Sequence, residues 1–436
     1  MRVSQNELFT RSGPGTALGG LMRRYWQPAA LTRELDTDRP VRPVNLLGER
    51  LVLFRDDEGE LGLIDRHCAH RGADLCYGRL EDGGLRCAFH GWLFDRTGQC
   101  LQQPAEPEDS AFPDRVRLTR YPVLERNGIV FAWMGGGEPP PLPAIDSLTA
   151  PDVYTFAFKG LIECNWLQVL EVGIDPAHAS FLHRFIEDEA PGDSYGKQFR
   201  DSVEGGEYTG TRVLREFDRP EIQAERAGYG VRLTALRRLN DTEVHVRVTN
   251  QVFPHAIVIP MSREMTITQW HVPVDDASCY WYAIFTSYGG PVDRETMLRQ
   301  RLELYELPDY VPRVNRRNDY GYDPAEQRTS TYTGMGHDIN VHDQWAVESQ
   351  GPIHDRTREH LGRTDVGIIQ YRRLLQQSLD ALERGDALPV SSGGDIGGVP
   401  LTVDTILDQG MWSDAWRSRA EALRAEAPWR AEAPAT

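Results

Sequence analysis

Lysine, cysteine, net positive charge and long apolar runs are all scarce in this 436-residue chain. Only two of its 48 cationic residues are lysines, Lys159 and Lys197, and the rest are arginines. Against 65 acids they leave a formal charge of −17. That balance argues against nucleic acid as a partner, because phosphate binding needs a basic face. No run approaches the ~20 apolar residues of a membrane span. The longest, Ile129–Met134 and Ala256–Pro260, are strand-sized, so no membrane partner is expected. The first eight residues lack the apolar core of a secretory signal, and the expected location is cytoplasmic. Six cysteines are too few for a disulfide scaffold at this length.

The composition that remains is that of a globular protein, 40% hydrophobic and 26% charged, and the length favours two domains. From Arg24 to Met134 short β segments alternate with Gly, Asp and Pro, as in Leu51–Phe54, Gly62–Ile64 and Gly128–Trp133. Gly135–Pro143 is Gly- and then Pro-rich, a linker signal. Beyond it, Asn165–Arg184 is long enough for a helix interrupted at Gly173 and Pro176, and residues 207–285 alternate as strands do. Residues 365–382 carry a 3.6-period stripe of Ile368, Tyr371, Leu375, Leu379 and Leu382, with Thr364 or Asp365 as its cap. The tail after Trp412 ends in a fraying helix. Strands segregated from helices make the fold class α+β. The expected division is an N-terminal segment 1–26 packing on the second domain, a small β domain 27–134, a linker 135–145 and a larger domain 146–436.

Two matched loops carry the first chemical signal. Cys68-Ala-His70 and, 16 residues on, Cys87-Ala-Phe-His90 each present one thiolate and one imidazole. A zinc finger of the Cys₂His₂ kind keeps its cysteines in one pair and its histidines in the other. A Rieske [2Fe–2S] centre takes one ligand of each kind from each loop, with both Cys on one iron and both His on the other, and that pattern is met here. Gly72 and Gly91 follow the pairs closely, and Trp92 is placed to cover the cluster. The extra cysteines that form a disulfide in respiratory Rieske proteins are replaced by Ala73 and Phe89. Cys76, Cys100, Cys164 and Cys279 are then ordinary buried thiols.

A second signal lies downstream: Glu171, Asp175, His178 and His183 fall within one short segment. Two histidines five apart sit about 140° around an ideal helix, so they share a metal only if the helix breaks between them. A 2-His-1-carboxylate site needs a carboxylate from elsewhere. Asp343 is the candidate, with Asp338 and Asp355 as rivals.

Taken together these motifs, with Arg11–Gly15, Arg24–Pro28, Gly351–Arg356 and Glu359–Gly362, resemble the oxygenase α component of Rieske non-haem iron oxygenases, most of all the phthalate 4,5-dioxygenase group. Ala69, where Pro is common, is a small departure. The resemblance implies a β-rich Rieske domain and a catalytic domain with a curved antiparallel sheet covered by helices. It implies a [2Fe–2S] cluster on Cys68, His70, Cys87 and His90, and mononuclear Fe(II) on His178, His183 and Asp343. Asp175 matches the aspartate that links the two centres between subunits, and Glu171 a near-iron position that is Asn in some relatives. Further implications are a flavin and iron–sulfur reductase or a ferredoxin as electron donor, and assembly as a homotrimer or dimer of trimers. The reaction would use O2 and NAD(P)H-derived electrons on a small aromatic substrate, with O- or N-demethylation or C–H hydroxylation as the alternative outcome. An aromatic carboxylate would need cationic anchors, for which Arg237 and Arg247 are candidates. The acidic stretch Glu187–Asp193 is expected to be a surface loop or pocket lid. A pure electron carrier explains the first motif but not the second, and a zinc-stabilised binding protein would be colourless where a Rieske protein is red-brown.

Overall fold

The computed structural model describes residues 1–188, 203–262 and 264–431. Residues 27–134 build three small antiparallel sheets. Gln27–Leu31, Ile129–Ala132 and Val123–Arg126 form the first, Val41–Leu46, Glu49–Arg55 and Leu61–Asp65 the second, and Arg79–Glu81, Gly84–Arg86, Leu93–Asp95 and Cys100–Gln102 the third. Their tight hairpins turn at Leu47-Gly48, Asp82-Gly83 and Asn127-Gly128, where both residues take positive φ. That geometry matches the twist of paired strands and favours Gly at the second position. Val52, Phe54, Ile64, Leu85, Trp92 and Phe94 pack beneath the loops that carry Cys68 and Cys87.

An eight-stranded antiparallel sheet dominates the second unit. Its strands are β1 (Thr155–Ile162), β2 (Glu221–Ala227), β3 (Gly230–Arg238), β4 (Glu243–Val252), β5 (Ala256–Ser262), β6 (Met265–Pro273), β7 (Cys279–Ser287) and β8 (Val403–Asp408). They run in the order β1-β7-β6-β5-β4-β3-β2. β8 pairs with residues 243–248 of β4, while β5 pairs only with residues 250–252. Four helices matter for the site: α1 (Trp166–Ile174), α2 (Ala179–Leu182), α3 (Ile339–Glu348) and α4 (Val366–Arg384). α4 buries Ile368, Tyr371, Leu374, Leu375 and Leu379 against the sheet and stops at Gly385, in the left-handed conformation that an L side chain disfavours.

The two units share one core. Leu21, Leu31, Phe131, Phe158, Trp166 and Trp270 belong to the same buried cluster. The buried Lys159 amine meets Glu34 at 2.7 Å and lies over the rings of Tyr280, Tyr282 and Tyr310. Residues 1–26 pack with the second unit: Asn165 donates to the Thr10 carbonyl, and Arg11 pairs with Asp276. The 135–145 stretch is held too, by Trp26 Nε1 on the Pro140 carbonyl and by Ala144 N–H on that of Gly394. One expectation is corrected. Strand alternation does not begin at residue 207, because Gly210–Glu216 is helical, capped by Thr209, and the first strand starts at Glu221 after Pro220. Among the described residues no helix is long and apolar enough to cross a membrane.

Candidate functional site

The two Cys-His loops fold alike. The Cys68 N–H donates to the Ala73 carbonyl and Gly72 N–H donates back to Cys68. In the second loop Cys87 and Trp92, and Gly91 and Cys87, repeat the pattern at 2.8–2.9 Å. Gly72 and Gly91 take positive φ at matching places, and a Cβ on Gly91 would also press on Pro104 at 3.1 Å. Both thiols are buried, and burial together with the neighbouring Cys87 pushes Cys68 up to about 11. The His70 and His90 rings meet edge to face at 4.4 Å, and Trp92 stacks on His70 at 4.5 Å. Sulfur thus lies beside sulfur and imidazole beside imidazole. The four donors do not gather within 4.8 Å of one another, as one zinc ion would require; among the described residues only His178, His183 and Asp343 do. The donor set fits two metal atoms, one on sulfur and one on nitrogen. Phe89, Tyr77 and Phe112 stand exposed around this tip.

The mononuclear candidate depends on a helix break. Asn165 caps α1 through its side chain, and α1 ends at Ile174. Asp175 is extended, and Pro176 follows, so the chain restarts as α2 with His178 and His183 at its two ends. Their Nε2 atoms come to 3.2 Å of each other. Asp343, projected from α3, brings Oδ1 to 3.3 Å from His183 and 3.7 Å from His178. Burial would raise the Asp343 carboxyl, but the His183 and His178 rings outweigh it and hold it below its usual value. His178 is lowered by burial and by His183, so it is neutral. Its Nδ1 engages the Asp175 carbonyl, which fixes the tautomer and leaves the Nε2 lone pair for a metal. The rivals serve elsewhere: Asp338 caps α3 and Asp355 caps a short turn at Thr357.

The Asp175 carboxylate accepts the Ala177 N–H at 2.8 Å. With His178 it lines two concavities, an inner cavity of about 310 Å³ against the sheet and an outer groove of about 1030 Å³. The pair forms part of the wall between them. Glu171 lines the outer groove and stands apart from the three-donor cluster. Its Oε2 takes Nε and Nη2 of Arg356 at 3.0 and 2.9 Å, and its Oε1 takes Nε of Arg372 at 2.5 Å.

Both arginines singled out as anchors line the inner cavity. Arg247 is committed to Asp404 and the Pro260 carbonyl. Arg237, 1% exposed, donates to the Pro176 carbonyl and Ser180 Oγ, while its Nε and Nη1 have no partner. Burial and Arg247 push its guanidinium down to about 10. The apolar walls include Val169, Val172, Ile267, Trp281 and Phe285. Sequence reasoning missed His271 and Gln269, which line the same cavity. Their alternation with Ile267 along β6 is the signal that places all three on one face. Of the acidic stretch, residues 189–193 lie outside the described residues, and Asp188 pairs with Arg215.

Comparison with known proteins agrees with this geometry. The family described as Rieske [2Fe-2S] domain matches residues 25–122, and that described as LigXa C-terminal domain like matches residues 132–403. The chain is 34% identical over 406 residues to the phthalate 4,5-dioxygenase oxygenase subunit of Pseudomonas putida, covering 88% of this chain and 87% of that one. It is also 34% identical over 397 residues to the tert-butanol monooxygenase / tert-amyl alcohol desaturase oxygenase subunit of Aquincola tertiaricarbonis, covering 89% and 79%. The crystal structure of dicamba monooxygenase bound to dicamba shares the fold, with a TM-score of 0.54 at 19% identity over 83% of this chain and 98% of that one.

Proposed function

The chain belongs to the Rieske non-haem iron oxygenases, as an oxygenase component with a [2Fe–2S] cluster and a mononuclear iron, and from that premise we propose its residue roles, substrate and assembly. Cys68 and Cys87 hold one iron of the cluster and His70 and His90 the other. His178, His183 and Asp343 hold the mononuclear iron. The observation that carries the reading is the convergence of those three side chains, within 4.8 Å, in a chain that also bears the paired Cys-His loops.

A mononuclear iron on two His and one carboxylate leaves adjacent positions for dioxygen and substrate. The chain's own groups prepare that chemistry. The Asp175 carbonyl holds His178 in the metal-binding tautomer, the apolar walls exclude water, and the Asp175 segment separates cavity from groove. Electrons derived from NAD(P)H arrive through a flavin and iron–sulfur reductase or a ferredoxin. A [2Fe–2S] cluster held by Cys68, His70, Cys87 and His90 would relay electrons singly, and with that tip docked in the outer groove of the next subunit Asp175 would bridge the two sets of donors. Exposed Phe181, Tyr322 and Tyr332 beside that groove and exposed Phe89 and Tyr77 at the cluster tip support a homotrimer or a dimer of trimers; the proposed location is the cytoplasm.

The proposed substrate is an aromatic carboxylate, as in the phthalate relative, with Arg237, whose Nε and Nη1 have no protein partner, rather than Arg247 as its anchor. A second reading, monooxygenation with C–H hydroxylation or demethylation, has the support of the monooxygenase relative and differs only in which bond faces the iron. Metal and sulfide analysis tests the core of the proposal, with about three irons and two acid-labile sulfides per chain expected. Two and two would leave only an electron carrier. Product analysis with an aromatic acid panel and a surrogate reductase then assigns the outcome.

A further inference from the structure

The second unit carries a third concavity, of about 500 Å³. None of its described lining residues belongs to the inner cavity or the outer groove. Strand alternation puts it on the other side of the sheet. Arg237, His245 and Arg247 line the inner cavity, whereas Arg232, five residues before Arg237, lies over the ring of Trp416. Trp416 packs on that side with Leu236, Val244, Val246 and Val248, as part of a further helix, α5 (Trp412–Glu426), laid against β4 and β8. Gly228 and Gly397 close one wall backbone against backbone, since a Cβ on Gly228 would run into the Gly397 carbonyl. Asp395 pins that loop by accepting the Gly397 N–H at 2.8 Å.

Four guanidinium groups converge on this space: Arg232 from β3, Arg417 and Arg424 from α5, and Arg430 from the one-turn helix Pro428–Ala431. One acid, Glu421, lines it with them. Arg232 and Arg417 stand over the same Trp416 ring, 5.4 and 5.1 Å from its centroid. Arg417 and Arg430 are exposed and, among the described residues, pair with no carboxylate. Arg424 gives only its Nε to Asp146, at 2.9 and 2.8 Å from the two oxygens, which leaves its terminal nitrogens. Arg232 meets Glu225 and the Tyr229 hydroxyl at 3.4 Å each, both long contacts. Like charges gathered this way repel one another. An anion placed among them turns that repulsion into attraction. The shape of the donors narrows the choice of anion. A guanidinium binds through a planar fork of N–H groups. A carboxylate offers such forks one plane, whereas phosphate oxygens point several ways and serve forks from different walls. The volume is that of a small-molecule site.

We propose that this concavity binds a small phosphate-bearing anion, a diphosphate either free or within an organic molecule, and thereby ties α5 to β3. The inference goes beyond the oxygenase reading and depends on neither set of metal donors. A chain with a net charge of −17 repels anions in general, so binding at this place reports the local cluster.

Titration calorimetry and thermal melts of the metal-replete protein test this at fixed ionic strength, with phosphate, pyrophosphate, ADP and phthalate as probes. Pyrophosphate is expected to bind once per chain and to raise the melting temperature, as a ligand of the folded state does. ADP binding at least as tightly assigns an organic diphosphate, and weaker ADP binding a free one. Arg417→Gln combined with Arg430→Gln removes two exposed cations without stranding an acid, and weakens pyrophosphate binding by about tenfold or more. Glu421→Gln removes the one lining acid and strengthens it by about twofold. Iron and sulfide contents stay at the wild-type level in all variants. Pyrophosphate binding that persists undiminished in the double variant, as chelation of iron would, overturns the proposal. So does phthalate binding as tightly as pyrophosphate, or no binding of any phosphate probe.

Discussion

Glu171 shows how a single residue's role depends on partners far away in sequence. Its position, four before Asp175, suggests a near-iron acid, yet both oxygens are taken by Arg356 and Arg372, and Arg372 also pairs with Glu359. Burial would raise the Glu171 carboxyl, but the two guanidinium groups outweigh it and hold it low. A group whose folded pKa is depressed contributes stability above its unfolded value, and that contribution is lost as pH falls through the folded value. Glu171→Gln leaves two buried cations short of a counter-charge, so a loss of roughly 3 kcal/mol is expected at neutral pH. The deficit relative to wild type shrinks below about pH 4, where the unfolded glutamate protonates. Urea melts at several pH values check this. Iron content should be unchanged, because Glu171 is not among the three converging donors. The histidines proposed to bind metal were legible as candidates because each set lies close in sequence. Choosing Asp343 over Asp338 and Asp355 needed the family resemblance, since a carboxylate 160 residues from His183 leaves no spacing to read. His271 was invisible, because alternation along a strand says which residues share a face but not what that face covers.

At the level of elements the break between α1 and α2 matters most, and part of what fixes it lies outside both helices. Gly173 and Pro176 in the sequence allow an interruption. Its position is set by Ile174, fully buried at the end of α1, and by α4, which approaches through Gly367. A Cβ on Gly367 would meet Leu233 Cδ2 at 2.6 Å and Ile174 Cγ2 at 3.1 Å. Gly367→Ala should therefore push α4 away from the α1 terminus. An overpacking cost of about 1–3 kcal/mol is expected, together with weaker mononuclear iron retention, since Asp175 and His178 follow Ile174 directly. Thermal melts and iron analysis after dialysis against a chelator measure both effects, and an intact cluster spectrum confirms that the β domain is undisturbed. Strands and the α4 stripe were legible from periodicity. The Gly210–Glu216 helix was not, because seven residues give too short a window for 3.6-fold periodicity to stand out from alternation. Its start depends on the Thr209 cap.

The whole molecule places its two proposed sets of metal donors in different environments. The Cys-His loops sit at a tip beside exposed Phe89, Tyr77 and Phe112, while His178, His183 and Asp343 gather at the wall between groove and cavity. The net charge of −17 does not describe that tip: from Asp65 to Arg96 five arginines balance five acids. Docking there is accordingly governed by apolar and local polar contacts rather than by the overall sign. If the tip of one subunit fills the outer groove of its neighbour, each mononuclear site draws electrons from a cluster on another chain. A ring closed by such a heterologous contact makes this testable by complementation. Cys87→Ala should lose the cluster and keep the mononuclear iron, Asp343→Ala the reverse, and each alone should be inactive. Co-expressed in equal amounts, the two variants form mixed rings in which about one junction in four joins an intact cluster to an intact mononuclear site. Turnover near that fraction of wild type is therefore expected from the mixture. Transfer within one chain predicts none, because neither variant carries both centres. Adding Asp175→Asn to the Cys87→Ala chain, which supplies the working iron, should abolish the recovered activity. Adding it to the Asp343→Ala chain should leave that activity intact, since the aspartate needed is the one beside the receiving iron.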